Sequence, residues 1–123
     1  MSEPGRRILI ADDNRDWTDG LALLLKDQGY AVRTAYDGRE AVGAAREFRP
    51  QIVILDVCMP NMTGYEAGRA LSALRPGERP VMIAITAWPM ESGKLQAELV
   101  AGFDHYVGKS ADPSNILELL KKV

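Results

Sequence analysis

Apolar segments short enough to be strands alternate with amphipathic segments five times along this chain, and this pattern constrains the fold more than any other feature. Four of the apolar runs are typical of buried strands, and residues 30–35 alternate in the manner of a half-buried one. Regular alternation of strand and helix favours a parallel sheet covered on both faces, with right-handed crossovers. We therefore predict an α/β fold, (βα)5, around a doubly wound five-stranded parallel sheet. Its strands, in chain order, are residues 8–11, 30–35, 52–55, 81–85 and 105–108.

The segments between the predicted strands carry apolar residues at helical spacing. The first predicted helix has leucines at positions 21, 24 and 25 on one face. It ends at Gly29, because glycine is a common C-terminal stop. The last helix opens at Asp112–Pro113, a capping carboxylate followed by a proline in the first turn. The other helices are predicted at residues 41–48 (between a turn at Asp37–Gly38 and Pro50), at 65–74 and at 91–101.

Size and composition indicate one globular domain. The chain has 123 residues, 46% of them apolar and 26% charged, which suits a single buried core. We expect one domain over residues 1–123, with no output domain in this chain. The net charge of −2 suggests no basic face for nucleic acid, and no apolar run nears the roughly 20 residues that span a membrane. Cys58 is the single cysteine, so no internal disulfide can form, and a reducing, cytoplasmic location is expected.

Residues able to do polar chemistry follow the ends of four predicted strands. The ligand crevice of an open parallel sheet lies outside the carboxyl ends of its strands, so these residues are predicted to meet there. Three crowded carboxylates would repel one another without a cation, and a hard divalent ion with oxygen ligands fits them. With one ammonium and one hydroxyl, the set predicts a site for a divalent cation and a phosphoryl group. Its members are Asp12 and Asp13 after the first strand, Asp56 after the third, Thr86 after the fourth and Lys109 after the fifth.

Each of these residues also has an ordinary structural explanation when it is taken alone. Two aspartates after a strand commonly form a turn or cap a helix, and threonine is frequent in strands. A lysine before a helix is usually a solvated charge. The functional interpretation therefore depends on the predicted fold bringing all of these side chains to one edge of the sheet.

At these positions the chain resembles the receiver domains of bacterial response regulators, along nearly its whole length. The acidic pair of that family is matched by Asp12–Asp13, and its phosphoacceptor segment by residues 55–66, LDVCMPNMTGYE. The hydroxyl residue of its fourth strand, with a small neighbour, is matched by Thr86–Ala87. The aromatic residue and the lysine of its fifth strand are matched by Tyr106 and Lys109. The resemblance implies a flavodoxin-like strand order, 2-1-3-4-5.

The resemblance also implies roles for the acidic residues. Asp56 would be the nucleophile that accepts a phosphoryl group from a histidine kinase or a histidine phosphotransfer domain. Mg²⁺, with Mn²⁺ as the alternative ion, would be held by Asp13, Asp56 and the backbone carbonyl of Cys58. Asp12 would act on the ion through water.

Three further residues would connect the phosphoryl group to a change of shape. The phosphoryl oxygens would be bound by Lys109 and Thr86. Movement of Thr86 toward them would let Tyr106 turn inward and reshape the surface made by the fourth helix, fifth strand and fifth helix. A downstream protein or a fused domain would bind this surface, which in the family is the α4-β5-α5 face.

Two positions at which the family varies would tune the phosphoryl kinetics. They are Cys58, two residues after the acceptor, and Trp88, two residues after the threonine. The chain departs from the family at Ser110, where a proline usually follows the lysine. A cis bond before a non-proline residue costs roughly 3 kcal/mol, so we expect a trans bond at this point.

Three other functions share either the fold or the chemistry. A phosphatase of the haloacid-dehalogenase type needs Asp-x-Asp, but Cys58 stands where the second aspartate, its general acid, would be. A flavodoxin needs a phosphate loop rich in serine, threonine and glycine, whereas residues 12–16, DDNRD, would repel phosphate. A pseudo-receiver used only for docking would not need the acceptor, metal and lysine positions. We therefore expect no enzyme, but a phosphoacceptor that catalyses only its own phosphorylation and dephosphorylation.

Overall fold

The computed structural model of the chain describes residues 6–56, 70, 80–86, 103–108 and 113–123. The third predicted helix, apart from Ala70, and the fourth lie outside these residues. The described elements are β1 (Arg7–Ala11), α1 (Arg15–Asp27), β2 (Ala31–Ala35), α2 (Gly38–Phe48), β3 (Ile52–Asp56), β4 (Val81–Thr86), β5 (His105–Gly108) and the C-terminal helix (Pro113–Lys122).

The five strands form one parallel sheet in the order β2-β1-β3-β4-β5. The predicted strand order and the doubly wound α/β fold are confirmed. From β1 the chain moves outward to β2, then crosses back to β3 on the other side of β1 and continues to β5. The direction of winding therefore reverses between β1 and β3. In open α/β sheets this switch point is where a crevice opens for a ligand.

The register of β1 and β3 sets the ends of these two strands level with each other. Ala11 of β1 lies opposite Leu55 of β3. The next residue in each case is an aspartate, so Asp12 and Asp56 reach the carboxyl edge of the sheet as neighbours. Positions distant in the sequence thus meet at the switch point.

Both faces of the sheet are buried, because side chains of successive strand residues point to opposite faces. On one face, the isoleucines of the inner strands pack against α1 and the C-terminal helix. On the other face, the small side chains of α2 pack against the sheet. The first cluster comprises Ile8, Ile10, Leu21, Ala22, Leu25, Ile52, Ile54, Ile83, Ile85, Ile116 and Leu120, and the second comprises Leu9, Ala11, Ala35, Ala41, Ala44, Ala45, Val53, Leu55 and Met82.

Helix α1 begins directly after the acidic pair. Asn14 is its N-cap residue, and its side-chain oxygen accepts a hydrogen bond from the backbone N–H of Trp17 at 3.1 Å. Such a cap satisfies one of the free N–H groups of the first turn. The helix ends at Asp27, and the chain turns away at Gly29, whose φ of 96° is a conformation that glycine adopts without strain. The glycine stop is where the sequence predicted it.

Helix α2 begins differently from the prediction. We predicted a turn at Asp37–Gly38, but Asp37 is the N-cap residue and Gly38 is the first helical residue. The carboxylate of Asp37 accepts from the backbone N–H of Glu40 at 2.8 Å, so a pair typical of turns here starts a helix. At the other end, Arg49 has a left-handed φ of 54° and ends the helix before Pro50.

The C-terminal helix begins at Pro113 and packs on the same face of the sheet as α1. Its Ile116 and Leu120 are buried. The end of the chain is tied to its beginning, because the guanidinium of Arg6 donates to the carbonyl oxygen of Val123 at 2.6 Å. None of the helices in the described part of the chain has the length and apolar character needed to cross a membrane.

Candidate functional site

Three carboxylates meet where β1 and β3 end. Asp12, Asp13 and Asp56 each place one carboxylate oxygen so that the three oxygens lie within 4.8 Å of one another. Asp12 is fully buried and Asp56 is 6% exposed, whereas Asp13 is exposed. The cluster therefore has two acidic groups set into the protein and a third at its solvent side.

Asp12 is held in place through its backbone and through its side chain. Its N–H donates to the carbonyl oxygen of Ala35, the last residue of β2, at 3.1 Å. Its Oδ1 accepts from the N–H of Asn14 at 3.0 Å, and its carbonyl oxygen accepts from the hydroxyl of Thr18 at 3.2 Å. These contacts orient the carboxylate before any ligand arrives, as preorganised sites require.

The donor set of the cluster fits a magnesium ion. Mg²⁺ prefers oxygen ligands and usually takes one or two carboxylates together with water and phosphate oxygens. Three carboxylates this close together repel one another, so a divalent cation among them would lower their electrostatic energy. Asp13 and Asp56 are the residues that the family resemblance assigns as direct ligands, and both belong to this cluster. The chemistry of the cluster therefore agrees with the predicted ion.

The neighbouring strands bring further predicted residues toward the same edge. Asp56 lies opposite Ile85 of β4, so that Thr86, the last residue of β4, extends one position beyond it. Thr86 in turn lies opposite Gly108, the last residue of β5. Lys109 follows Gly108 in the sequence and lies outside the described residues. The backbone thus places Thr86 and the end of β5 at the edge that carries Asp56.

Tyr106 lies on β5, at the edge of the sheet, opposite Ala84. Its neighbour Val107 packs against the cluster on the α1 face, so alternation directs Tyr106 to the opposite face. The side chain is 49% exposed, and a half-exposed ring can change its position without opening the core. This placement suits the predicted switch residue, whose motion stays a prediction.

Several predicted residues fall outside the described part of the chain. They include Cys58, as a carbonyl ligand and a kinetic residue, and Trp88, as a kinetic residue. The ammonium of Lys109 and the expected trans bond to Ser110 also lie there. The roles assigned to these residues stay predictions.

A small polar cluster joins α1 to the segment that follows β2. The hydroxyl of Tyr36 donates to the carboxylate of Asp19 at 2.6 Å. The guanidinium of Arg15 lies 4.1 Å from the centre of the Tyr36 ring, in a cation–π contact. Since Arg15 and Asp19 belong to α1, these contacts join the start of that helix to the segment after β2.

Two residues of this region were not identified from the sequence. Asn14, the N-cap of α1, could have been found, because asparagine before an amphipathic segment is a known start signal. Thr18 gives no comparable signal. Its position in the helical period places it on the inner face, but the period does not reveal that its hydroxyl meets the carbonyl of Asp12.

The fold and the site together define a flavodoxin-like α/β domain with an acidic centre at its switch point. The family model for the response regulator receiver domain matches residues 8–121. This chain therefore belongs to the response regulator receiver domain family, as the sequence resemblance implied.

Comparison with individual proteins agrees with the family assignment. The response regulator MprA of Mycolicibacterium vanbaalenii is 38% identical over 117 residues, which are 95% of this chain and 48% of that protein. The chain thus spans about half the length of that regulator. The structure is similar to the chemotaxis response regulator CheY4 of Vibrio cholerae, with 29% identity, a TM-score of 0.86, and coverage of 96% of this chain and 98% of that chain.

A second similar structure comes from a kinase-associated receiver. It is the receiver domain of the sensor histidine kinase PA1611 from Pseudomonas aeruginosa PAO1, with 30% identity, a TM-score of 0.84 and coverage of 96% of both chains. That domain has a magnesium ion coordinated in its active site cleft.

Proposed function

We propose that this receiver domain accepts a phosphoryl group on Asp56 from a histidine kinase or a histidine phosphotransfer domain, with Mg²⁺ bound beside it. The observation that carries the proposal is the meeting of Asp56 with Asp12 and Asp13, whose carboxylate oxygens lie within 4.8 Å of one another. Membership of the receiver family supports it, as does the magnesium ion in the similar Pseudomonas domain.

Asp56 is well placed to act as the nucleophile. It is the last residue of the fully buried strand β3, which pairs with β1 as far as Leu55 and with β4 through Asp56 itself, so its backbone position is fixed. Phosphoryl transfer depends mainly on positioning and on stabilising charge, and a rigid strand end supplies the positioning. Asp56 is 6% exposed, so its carboxylate is set into the protein with little freedom to move.

The reaction is a direct transfer. A carboxylate oxygen of Asp56 forms a bond to phosphorus while the bond between phosphorus and the donor's imidazole nitrogen breaks. The nitrogen keeps the electron pair of the broken bond. The chemistry supplied by bound Mg²⁺ is neutralisation of the charge on the phosphoryl oxygens. Asp13, assisted by Asp12, is proposed to hold the ion, and Lys109 and Thr86 are proposed to bind phosphoryl oxygens.

The output is proposed to be a change of the surface around β5. Tyr106, half exposed on that edge strand, is the residue through which a change at Thr86 would reach the surface. A downstream protein or a fused domain would bind the altered surface. The chain is proposed to work in the cytoplasm, without direct contact to nucleic acid or membrane, and to catalyse only its own phosphorylation and dephosphorylation.

The proposal is tested by incubating the chain with Mg²⁺ and acetyl phosphate and measuring its intact mass. We expect one added phosphoryl group per chain, and none when a chelator removes the Mg²⁺. A chain that stays unmodified under both conditions would be a docking module without acceptor chemistry. Continuous release of phosphate from a phosphomonoester would instead indicate a phosphatase. Transfer from a phosphorylated histidine phosphotransfer domain then tests the class of donor.

A further inference from the structure

Thr18 is buried beside the acidic cluster although the proposed chemistry does not use it. In the described part of the chain, three polar or charged side chains are buried: Asp12, Asp56 and Thr18. The first two belong to the site. Thr18 lies on the inner face of α1 and is fully buried. A hydroxyl is buried at low cost only when it is hydrogen-bonded, so its partners show what it does.

The hydroxyl of Thr18 joins α1 to the loop that carries the acidic pair. Its Oγ1 lies 2.8 Å from the carbonyl oxygen of Asn14 and 3.2 Å from that of Asp12. The hydroxyl has one proton, which these two acceptors share. A bond to the carbonyl four residues earlier is common for threonine in helices. The contact with Asp12 is different, because it reaches beyond the helix to the end of β1.

The two carbonyls belong to the residues on either side of Asp13. The exposed side chain of Asp13 depends for its position on the backbone that carries it. The Thr18 hydroxyl contacts that backbone on both sides of Asp13, at the carbonyl oxygens of Asp12 and Asn14. Asp12 has a further restraint, since its Oδ1 accepts from the N–H of Asn14. The hydroxyl of Thr18 thus contacts both ends of the Asp12–Asn14 segment.

We infer that Thr18 is a positioning residue for cation binding: its hydroxyl fixes the Asp12–Asn14 segment and so orients the carboxylates of Asp12 and Asp13. Mg²⁺ requires nearly ideal octahedral geometry and tolerates displaced ligands poorly. Loss of the hydroxyl lets the segment move, and the ion then has to order it on binding. The inference rests on the proposed function for its use of Mg²⁺, but ion binding can be measured without any phosphoryl transfer.

The test compares Thr18→Val, which keeps the shape and removes the hydroxyl, with Thr18→Ser, which keeps the hydroxyl and removes a methyl group. Thr34→Val is the matched control, because the Thr34 hydroxyl lies on β2, 3.5 Å from the Tyr36 hydroxyl, and its hydrogen bond within the described residues is not to the Asp12–Asn14 segment. The Mg²⁺ dissociation constant is measured by isothermal titration calorimetry, and thermal unfolding is recorded alongside it. We expect Thr18→Val to weaken Mg²⁺ binding about 3- to 10-fold, as for the loss of one buried hydrogen bond. Thr18→Ser and Thr34→Val should stay within about twofold of the wild type.

A second readout separates positioning from general destabilisation. At saturating Mg²⁺, phosphorylation of the Thr18→Val chain by acetyl phosphate should return close to the wild-type rate, because the defect lies in binding the ion. Wild-type Mg²⁺ affinity in Thr18→Val would overturn the inference, and so would equal losses in Thr18→Val and Thr18→Ser. If Thr18→Val does not fold, Thr18→Ser and Thr18→Ala are compared, and equal affinities in those two overturn it. A wild-type chain that binds Mg²⁺ but takes no phosphoryl group would overturn the proposed function alone, and the affinities of the Thr18 variants would still decide this inference.

Discussion

Asp12 and Asp56 are neighbours at one edge of the sheet, although one follows the first strand and the other ends the third. The register that sets Ala11 opposite Leu55 brings them together, and both are buried there. β1 and β3 are also the strands between which the winding of the sheet reverses. The acidic centre therefore lies at the position where this fold places ligands.

Mg²⁺ should stabilise the folded chain, because folded carboxylates bind the ion and the unfolded chain does not gather them. At an ion concentration of 100 times the dissociation constant, the free energy of unfolding should rise by about 2.7 kcal/mol. Asp13→Asn removes one carboxylate from the cluster at an exposed position. This variant should lose most of the gain from Mg²⁺. Without Mg²⁺ it should unfold at a temperature no lower than the wild type, because repulsion in the cluster falls. Thermal unfolding with and without Mg²⁺ measures both effects.

Asp27→Asn is the control for this experiment. It makes the same chemical change at an exposed aspartate at the opposite end of α1. It should gain as much from Mg²⁺ as the wild type does. If Asp13→Asn gains as much as Asp27→Asn, Asp13 is not a ligand of the ion.

The orientation of α1 can be tested with two leucines of the same helix. Leu25 is fully buried against the sheet, whereas Leu23 is 69% exposed. Leu25→Ala should lower the free energy of unfolding by about 3 kcal/mol, because it removes apolar contacts and leaves a cavity. Leu23→Ala should change it by less than about 0.5 kcal/mol. Urea unfolding measures both values, and equal losses would mean that α1 presents a different face to the sheet.

Phosphorylation should move Thr86 and Tyr106. A ligand shifts a conformational equilibrium only as far as its affinities for the two states differ, and the phosphoryl group has to favour one arrangement of these residues. Beryllofluoride with Mg²⁺ mimics the phosphorylated aspartate, so crystal or NMR structures with and without it provide the measurement. We expect Thr86 to approach Asp56 and Tyr106 to become less exposed. The Asp56→Asn chain under the same conditions is the control. Unchanged positions of both residues in the wild type would refute the switch.

The lifetime of the phosphorylated state should depend on Cys58 and Trp88. Water removes the phosphoryl group by attack in line with the bond to the carboxylate oxygen. If the loops run as in the family, Trp88 obstructs this path, and Cys58 is a weak hydrogen-bonding group that orients water poorly. Replacing Cys58 by Asn and Trp88 by Glu should shorten the lifetime about tenfold, which corresponds to ~1.4 kcal/mol of barrier. The decay of the phosphorylated chain is followed by intact mass, and equal rates for parent and double variant would exclude this function for both side chains.

The sheet and its acidic centre could be predicted from the sequence because both follow from strand ends. A buried strand is recognisable by its apolar run, and parallel topology then brings residues such as Asp12 and Asp56 to one edge. The start of the second strand differs from the prediction by one residue. Tyr30, predicted as the start of the second strand, instead donates its N–H to the carbonyl oxygen of Leu25 and helps to end α1. Because this N–H is used at the end of α1, β2 begins one residue later, at Ala31.

The remaining features depend on contacts that a pattern does not contain. An Asp-Gly pair suits a turn as well as a helix start, and Asp37 became a cap because its carboxylate reached the N–H of Glu40. Thr18 looks like any inward residue of α1, and only the fold shows its hydroxyl beside the carbonyl of Asp12. Periodicity indicates which side chains turn inward, but the partners of their polar atoms are set by the packed structure.

The most direct test of the central claim is to phosphorylate Asp56→Asn and Asp13→Asn in parallel with the wild type. All three chains are incubated with acetyl phosphate and saturating Mg²⁺, and the modified residue is identified by intact mass followed by peptide mapping. The two variants make the same carboxylate-to-amide change within one cluster, so they differ only in which residue is altered. We predict one phosphoryl group on Asp56 in the wild type, slower modification of Asp56 in Asp13→Asn, and no modification of Asp56→Asn. The circular dichroism spectrum of Asp56→Asn should match that of the wild type, which would show that its fold is unchanged. Stoichiometric phosphorylation of Asp56→Asn would contradict the assignment of Asp56 as the phosphoacceptor.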